Sequence, residues 1–349
     1  LIKVRFQNYL EKSVFSLVLG TVVLTYITFF LGIFGLLYKF VLIPILISIF
    51  ILLVKDIRYN AQFCFKTIKN INIKKFIKNY KFDFFSIVAA FIVTFILLNF
   101  IISFSPPWHF DVVAYHLAIQ KIYMKFHQIV YIPYIFYWNL PSLVDTIYLN
   151  GFLLHSGILS NLIAYALSIA FLFAIFSFCK RFFNFRIALL ASLIFYSSPM
   201  VTGLTSTAHV DVQFALFVFL SFYSLFVYFS LKDRKWLIEA SIFAGFGASS
   251  KIFGAVAVIG VLIMLVINLL SRLRKNDIGY ANAFLEIIIF CSIVLIVTTP
   301  WLLKNYFFTG NPVWPAFNEI FNGKYWDETH QEKLSKMINL RKINLFLKK

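Results

Sequence analysis

Uncharged apolar runs recur along the whole chain, and several exceed the roughly 18 residues that suffice to cross a bilayer core about 30 Å thick. They predict nine spans: Ser13–Phe34, Leu36–Val54, Phe84–Phe104, Leu159–Cys179, Ile187–Gly203, Val212–Leu231, Trp236–Ser250, Ile252–Ser271 and Ile287–Leu303. Leu36–Val54 includes Lys39 and Pro44, and the short Trp236–Ser250 carries Glu239. Only 13% of the 349 residues are charged, against about 25% in an ordinary soluble domain. A water-facing surface cannot be built from so few charges. The expected fold class is an all-α polytopic membrane protein with about nine transmembrane helices.

The charges that do occur are strongly unbalanced, with 32 Lys+Arg against 14 Asp+Glu and a net charge of +18. In a soluble protein that excess would suggest nucleic acid. In a membrane protein it reports topology, because cytoplasmic loops collect Lys and Arg. With the N-terminus inside, the inner segments hold Lys3, Arg5 and Lys12, then Lys55, Arg58, Lys66, Lys69, Lys74, Lys75, Lys78 and Lys81. They continue with Lys180, Arg181 and Arg186, with Lys232, Arg234 and Lys235, and with Arg272, Arg274 and Lys275. As far as Leu303 the outer side holds only Lys39, Lys121, Lys125 and Lys251. This orientation absorbs the excess without nucleic acid. The Lys55–Lys81 stretch, interleaved with Ile68, Ile71, Ile73, Phe76 and Ile77, reads as an amphipathic helix on an anionic inner leaflet. Glu239 and Glu286, near inner span ends, are expected to be solvated. Cys64, Cys179 and Cys291 have no metal or redox spacing.

Three regions follow. Residues 1–83 form two N-terminal spans and the basic segment, 84–315 a membrane core, and 316–349 an outer tail. The tail ends on Phe346-Leu347-Lys348-Lys349, and it is expected to be interrupted, with further spans beyond it.

The longest outer segment, Ser105 to about Ile158, reads as a structured cap. Tyr115, Leu117, Ile119, Ile122, Tyr123 and Phe126 recur at helical spacings, and a second amphipathic stretch runs from Pro141 to His155. Both helices are expected to lie along the membrane surface, joined by a link of Tyr131, Pro133, Tyr134, Tyr137 and Trp138 suited to headgroup depth. The acids assigned to the outer side before Leu303 are Asp111, Asp145 and Asp211. All six histidines also fall on outer segments. His109-Phe110-Asp111 and His209-Val210-Asp211 each adjoin a span, where an ionisable group is costly unless paired or used.

The run Ser105-Pro106-Pro107-Trp108-His109-Phe110-Asp111-Val112-Val113-Ala114-Tyr115-His116-Leu117 resembles the "PP…(F/W)D…YHL" segment of bacterial GT-C glycosyltransferases. These are lipid-linked-sugar transferases of the protein O-mannosyltransferase (glycosyltransferase family 39) and aminoarabinose-transferase kind. The resemblance continues in order. Asn139-Leu140-Pro141 with Asp145, Tyr148 and Gly151 is similar to "N-x-P…E-x-x-Y…G", with Asp145 where related chains usually have Glu. Ala208-His209-Val210-Asp211 resembles a second acidic site. Gly245 to Lys251 resembles "G-x-x-x-G…K". Pro300-Trp301, Lys304-Asn305 and Thr309-Gly310-Asn311-Pro312-Val313-Trp314-Pro315 are similar to "PW…(R/K)N…TGNPV(Y/F)P".

The resemblance implies inverting transfer of a sugar from a polyprenyl-phosphate donor to a lipid, glycan or protein hydroxyl on the outer face of a cell membrane, in glycan biosynthesis for the cell envelope. An attacking hydroxyl needs a base, which a carboxylate can be. The leaving phosphate needs a cation or dipoles. Asp111 is the candidate base, the bland alternative being a helix N-cap. Asp211, the second catalytic candidate, could orient the acceptor or simply complement a helix dipole. Lys251 is the candidate for donor phosphate, against ordinary snorkelling, with Lys304 second. His109, Tyr115, His116 and His209 are candidate substrate-binding residues. His/Asp sites suit a divalent metal, yet the spacing matches no metal motif and the chemistry requires no cofactor, so no metal ligand is assigned. Asp145 reads as structural.

Two other readings share the composition: a transporter or flippase for lipid-linked sugars, and an inactive GT-C-like fragment. Transporters place charges at mid-membrane in broken, repeated spans, whereas the polar residues here collect at span ends and no internal repeat stands out.

Overall fold

The computed structural model describes residues 4–69, 83–132 and 135–324. All regular structure among them is helical. The helices are α1 (Tyr9–Ile33), α2 (Lys39–Lys69), α3 (Phe84–Ile102), α4 (Leu117–Phe126), α5 (Thr146–Leu154), α6 (Gly157–Phe182), α7 (Phe185–Ser197), α8 (Pro199–Thr205), α9 (Asp211–Leu231), α10 (Arg234–Ser250), α11 (Gly254–Arg274), α12 (Tyr280–Thr309) and α13 (Asn318–Phe321). The chain is an all-α polytopic membrane protein.

Seven helices are long and apolar enough to span: α1, the Lys39–Arg58 part of α2, α3, α6, α9, α11 and α12. Counting the bent pair α7 and α8 as one span makes up to eight, against the nine expected from sequence. The shortfall has two causes. The Ile187–Gly203 run breaks at Ser198-Pro199 with a 72° bend, because proline clashes with a preceding helical turn and starts a new helix instead. The Trp236–Ser250 run forms α10, 17 residues long, or about 25 Å at 1.5 Å per residue, at the lower limit of a span.

Contacts divide the chain into two units, Leu1–Val130 with Val144–Tyr223, and Tyr131–Leu143 with Ser224–Lys349. In the first, α3, α6 and α7 pack around Val88, Ile92, Leu172, Leu189 and Tyr196. In the second, α10 packs closely on α12. A Cβ added to Gly245 would stand 2.8 Å from Val297 and 3.0 Å from the Val294 carbonyl. Packing thereby explains Gly245, since glycine lets backbones approach. Large apolar side chains such as Leu52, Ile194, Val256 and Ile296 remain exposed, as lipid-facing positions should.

Two expectations about polar residues are corrected. Glu239 and Glu286 are buried at 1% and 3% exposure, not solvated. Glu286 accepts hydrogen bonds from Tyr228, Arg234 and Arg272. The unit thus satisfies a charge it could not leave in an apolar core. In the first unit Glu11, fully buried, accepts from Arg181 at 2.7 Å and from the Tyr223 hydroxyl at 2.6 Å. The predicted amphipathic helix over Lys55–Lys81 continues α2 as far as Lys69, and its remainder lies outside the described residues.

The cap also differs from expectation. After α3 the chain runs through Pro106-Pro107, makes a π-helical turn over Val112–His116 and enters α4. The second helix, α5, is buried within its unit instead of presenting an amphipathic face. Seven of its nine residues are buried: Thr146, Ile147, Tyr148, Leu149, Asn150, Gly151 and Leu153. A helix apolar on all sides belongs inside a protein. Its fit is tight, for a Cβ on Gly151 would come within 2.4 Å of Ser160.

Candidate functional site

The two acidic motifs meet in the first unit. Asp111 precedes the π-helical turn, a rare conformation that recurs at functional sites. It makes no side-chain cap hydrogen bond, so capping does not account for it. Asp211 opens α9, preceded by the buried segment Thr207-Ala208-His209-Val210. His209 links the two acids. Its Nε2 lies 3.6 Å from Asp111 Oδ2, and its Nδ1 lies 2.7 Å from Asp211 Oδ2. Both contacts are at ion-pair range, although the second is out of line for a hydrogen bond. His209 is 5% exposed, while the Asp111 and Asp211 side chains are 39% and 29% exposed. The cluster is therefore anchored inside and open at its carboxylates.

His109 and His116 flank the same ring, with centroids 5.1 Å and 5.2 Å from that of His209. His116 Nδ1 lies 3.0 and 3.1 Å from the two carboxylate oxygens of Asp145. Asp145 thus ties the start of α5 to the Asp111 segment. The Tyr115 ring lies against His116, with a centroid separation of 4.3 Å. The other two described histidines are structural: His127 stacks on Tyr38 and bonds the Leu37 carbonyl, and His155 bonds Ser156.

What holds these loops is a set of residues that motif reading missed. Asn161, at 0% exposure on α6, donates to the Ser105 carbonyl at 3.0 Å and accepts from the Ala208 N–H at 3.0 Å. One side chain thereby staples the segment leading to Asp111 and the segment leading to Asp211. Tyr148 donates to the His209 carbonyl at 2.6 Å. Burial, and then the Asp145 and Asp211 carboxylates, push its phenol well above the ordinary tyrosine value, so the hydroxyl stays a donor. Ser160 donates to the Tyr148 carbonyl at 2.8 Å. The available signal was the polar pair Ser160-Asn161 inside an otherwise apolar span, which is costly unless used.

The two candidate lysines lie in the second unit. Lys251 caps the C-terminus of α10 and is half-buried, its N–H donating to the Gly247 carbonyl. Lys304, on α12, is 3% exposed. Its Nζ lies 3.2 Å from the Trp138 carbonyl, 3.1 Å from Asn139 Oδ1 and 3.3 Å from Asn305 Oδ1. The Trp138 and Trp301 ring centroids are 4.1 and 4.5 Å away. An ammonium has three N–H donors, and all three have acceptors here. A phosphate would have to displace one. Asn305 adds a bond to the Asn139 carbonyl at 2.9 Å, so Lys304-Asn305 fastens the Trp138-Asn139 link to α12.

A cavity of about 890 Å³ in the second unit contains none of the candidate site residues. Lys232, Arg234, Arg272, Asp277 and Glu286 line it, and their charges are paired with one another. It reads as a structural ion-pair network.

Residues 143–297 match the family described as dolichyl-phosphate-mannose-protein mannosyltransferase, which is of GT-C type. The matched stretch includes Asp145, Asp211 and Lys251, and covers less than half of the chain. No curated protein and no solved structure matches.

Proposed function

The family match supports a membrane glycosyltransferase of GT-C type, and from that premise we propose that the chain transfers a sugar from a polyprenyl-phosphate donor to an acceptor hydroxyl on the outer face of the membrane, with Asp111 as base. The observation that carries this reading is the His209 bridge, which joins two acids a hundred positions apart in the sequence at one half-exposed site. Asp111 takes the acceptor proton as the acceptor oxygen bonds to the anomeric carbon. The bond from that carbon to the phosphate oxygen breaks, and its electron pair leaves with the polyprenyl phosphate. Attack from the face opposite the phosphate inverts the anomeric centre.

Asp211 balances and orients His209, and the three histidines with Tyr115 surround the acceptor. Within the second unit, Lys304 supports the Trp138-Asn139 link. The outer-face placement rests on the distribution of lysine and arginine.

The test is to incubate membranes carrying the protein with radiolabelled polyprenyl-phosphate sugars. Transfer to a lipid, glycan or protein acceptor is expected, falling roughly 100- to 10,000-fold in Asp111→Asn, the contribution of a positioned base. Undiminished transfer in that variant would remove the base assignment.

A further inference from the structure

The same cluster has a second chemical property that base catalysis does not use. One ligand atom each from His109, Asp111 and His209 lie within 4.8 Å of one another. A tetrahedral ion bound at about 2.0–2.2 Å holds its ligand atoms roughly 3.3–3.6 Å apart, and the His209 Nε2 to Asp111 Oδ2 separation is already 3.6 Å. We propose that His109, Asp111 and His209 form a binding site for a divalent transition metal such as zinc or manganese.

Three features beyond proximity point to a ligand. Metal-binding imidazoles characteristically turn their second nitrogen to a carboxylate, which orients the ring. His209 Nδ1 faces the Asp211 carboxylate at an ion-pair distance of 2.7 Å, although out of line for a hydrogen bond. His116 is 5% exposed and held by Asp145 through Nδ1, and its buried Nε2 has no hydrogen-bond partner. His109 Nδ1 is likewise buried without one. Unsatisfied buried nitrogens are costly in a protein interior, and a cation bound by His109 offsets that cost at this ring. The donor set of two imidazoles and one carboxylate suits zinc or manganese and disfavours calcium, which prefers oxygen.

Three protein ligands leave a coordination position open, as in catalytic rather than structural sites. An acceptor hydroxyl or a phosphate oxygen fits that position. Asp111 has two carboxylate oxygens, so one can ligate while the other takes a proton. Asp211 is on this reading a positioning residue, acting through His209.

The test is metal retention by the purified full-length chain, independent of any transfer assay. The protein is stripped with chelator, loaded with zinc, manganese or cobalt in turn, desalted, and its metal content measured by mass spectrometry. Stoichiometric retention is expected for the wild type and for the control His155→Ala, and loss for His109→Ala and His209→Ala. Asp211→Asn should bind about 10- to 100-fold more weakly, as when an orienting carboxylate is removed. Visible cobalt absorption bands should appear in the wild type and vanish with the histidines. Thermal melts with and without metal guard against misfolded variants: the wild type should be stabilised by loading, and a folded His209→Ala should not. Failure of the wild type to retain metal, or equal retention by the folded double variant His109→Ala/His209→Ala, overturns the site. Transfer measured on stripped protein separates this outcome from failure of the glycosyltransferase reading.

Discussion

Glu11 and Asp111 are both carboxylates in a chain that is overwhelmingly apolar, yet their surroundings differ in kind. Glu11 is fully buried and satisfied by Arg181, Tyr223 and the Gln7 N–H. Asp111 is half-exposed beside an imidazole, and nitrogens of the adjacent histidines lack hydrogen-bond partners. A closed network spends its polar groups on each other and can only stabilise. An open one retains capacity for a ligand. The Lys304 cage belongs with Glu11, for all three of its N–H groups have oxygens. The distinction lies in whether the polar partners of a charge are already used, not in residue type.

The comparison can be broken at either end. The largest stability effect is expected from Glu11→Gln, which leaves Arg181 buried beside a neutral partner. Loss of one member of a buried pair costs about 3–5 kcal/mol, which would appear as a lower melting temperature and poor yield in detergent. If Glu11→Gln melts like the wild type, a satisfied network is not what holds this region. Asn161→Ala should act in the opposite sense, on function more than on stability. Releasing Ser105 and Ala208 misplaces both acids, and small displacements of reacting groups cost on the order of 100-fold in rate. A variant that folds but keeps full transfer would show that the staple does not position the site.

A smaller effect is expected from Lys304→Met, which keeps the stem but strands three oxygens, at roughly 1–3 kcal/mol. Limited proteolysis near Trp138 should accelerate. A selective rise in KM for donor without destabilisation would instead return Lys304 to the phosphate. The smallest effect concerns Asp277, whose carboxyl is held below the usual range by its hydrogen bond to Lys232. A depressed carboxylate adds stability above its unfolded value and loses it as pH falls through its folded one. Asp277→Asn should therefore lower the melting temperature slightly at neutral pH and leave it unchanged once the pH is below the folded value. An equal shift at both pH values would assign the effect to packing.

Much of the membrane architecture was legible in the sequence because it depends on one-dimensional quantities, run length and apolarity. Two expected spans differ where local chemistry intervened: one bends at Ser198-Pro199, and the other forms the short, 17-residue α10. The surface helix expected over Pro141–His155 failed because amphipathicity is a weak signal when nearly every residue is apolar. Thr146, Asn150 and Gly151 are buried, with Asn150 accepting from Thr28 at 2.9 Å. Motif reading singled out Asp111, Asp211, His109, His116 and His209, each ionisable at a span end, and the structure brings them into one cluster. The same reading passed over Asn161, a neutral side chain whose two bonds run to main-chain groups 56 and 47 positions away.

The sequence by itself determined that this chain is a helical membrane protein and how few ionisable residues it carries, because apolar length and charge are properties each residue carries alone. Only the tertiary structure decided that His209 stands between Asp111 and Asp211 and that Lys304 is caged. Pairing and satisfaction depend on separations in space, and residues a hundred positions apart become neighbours only when helices pack.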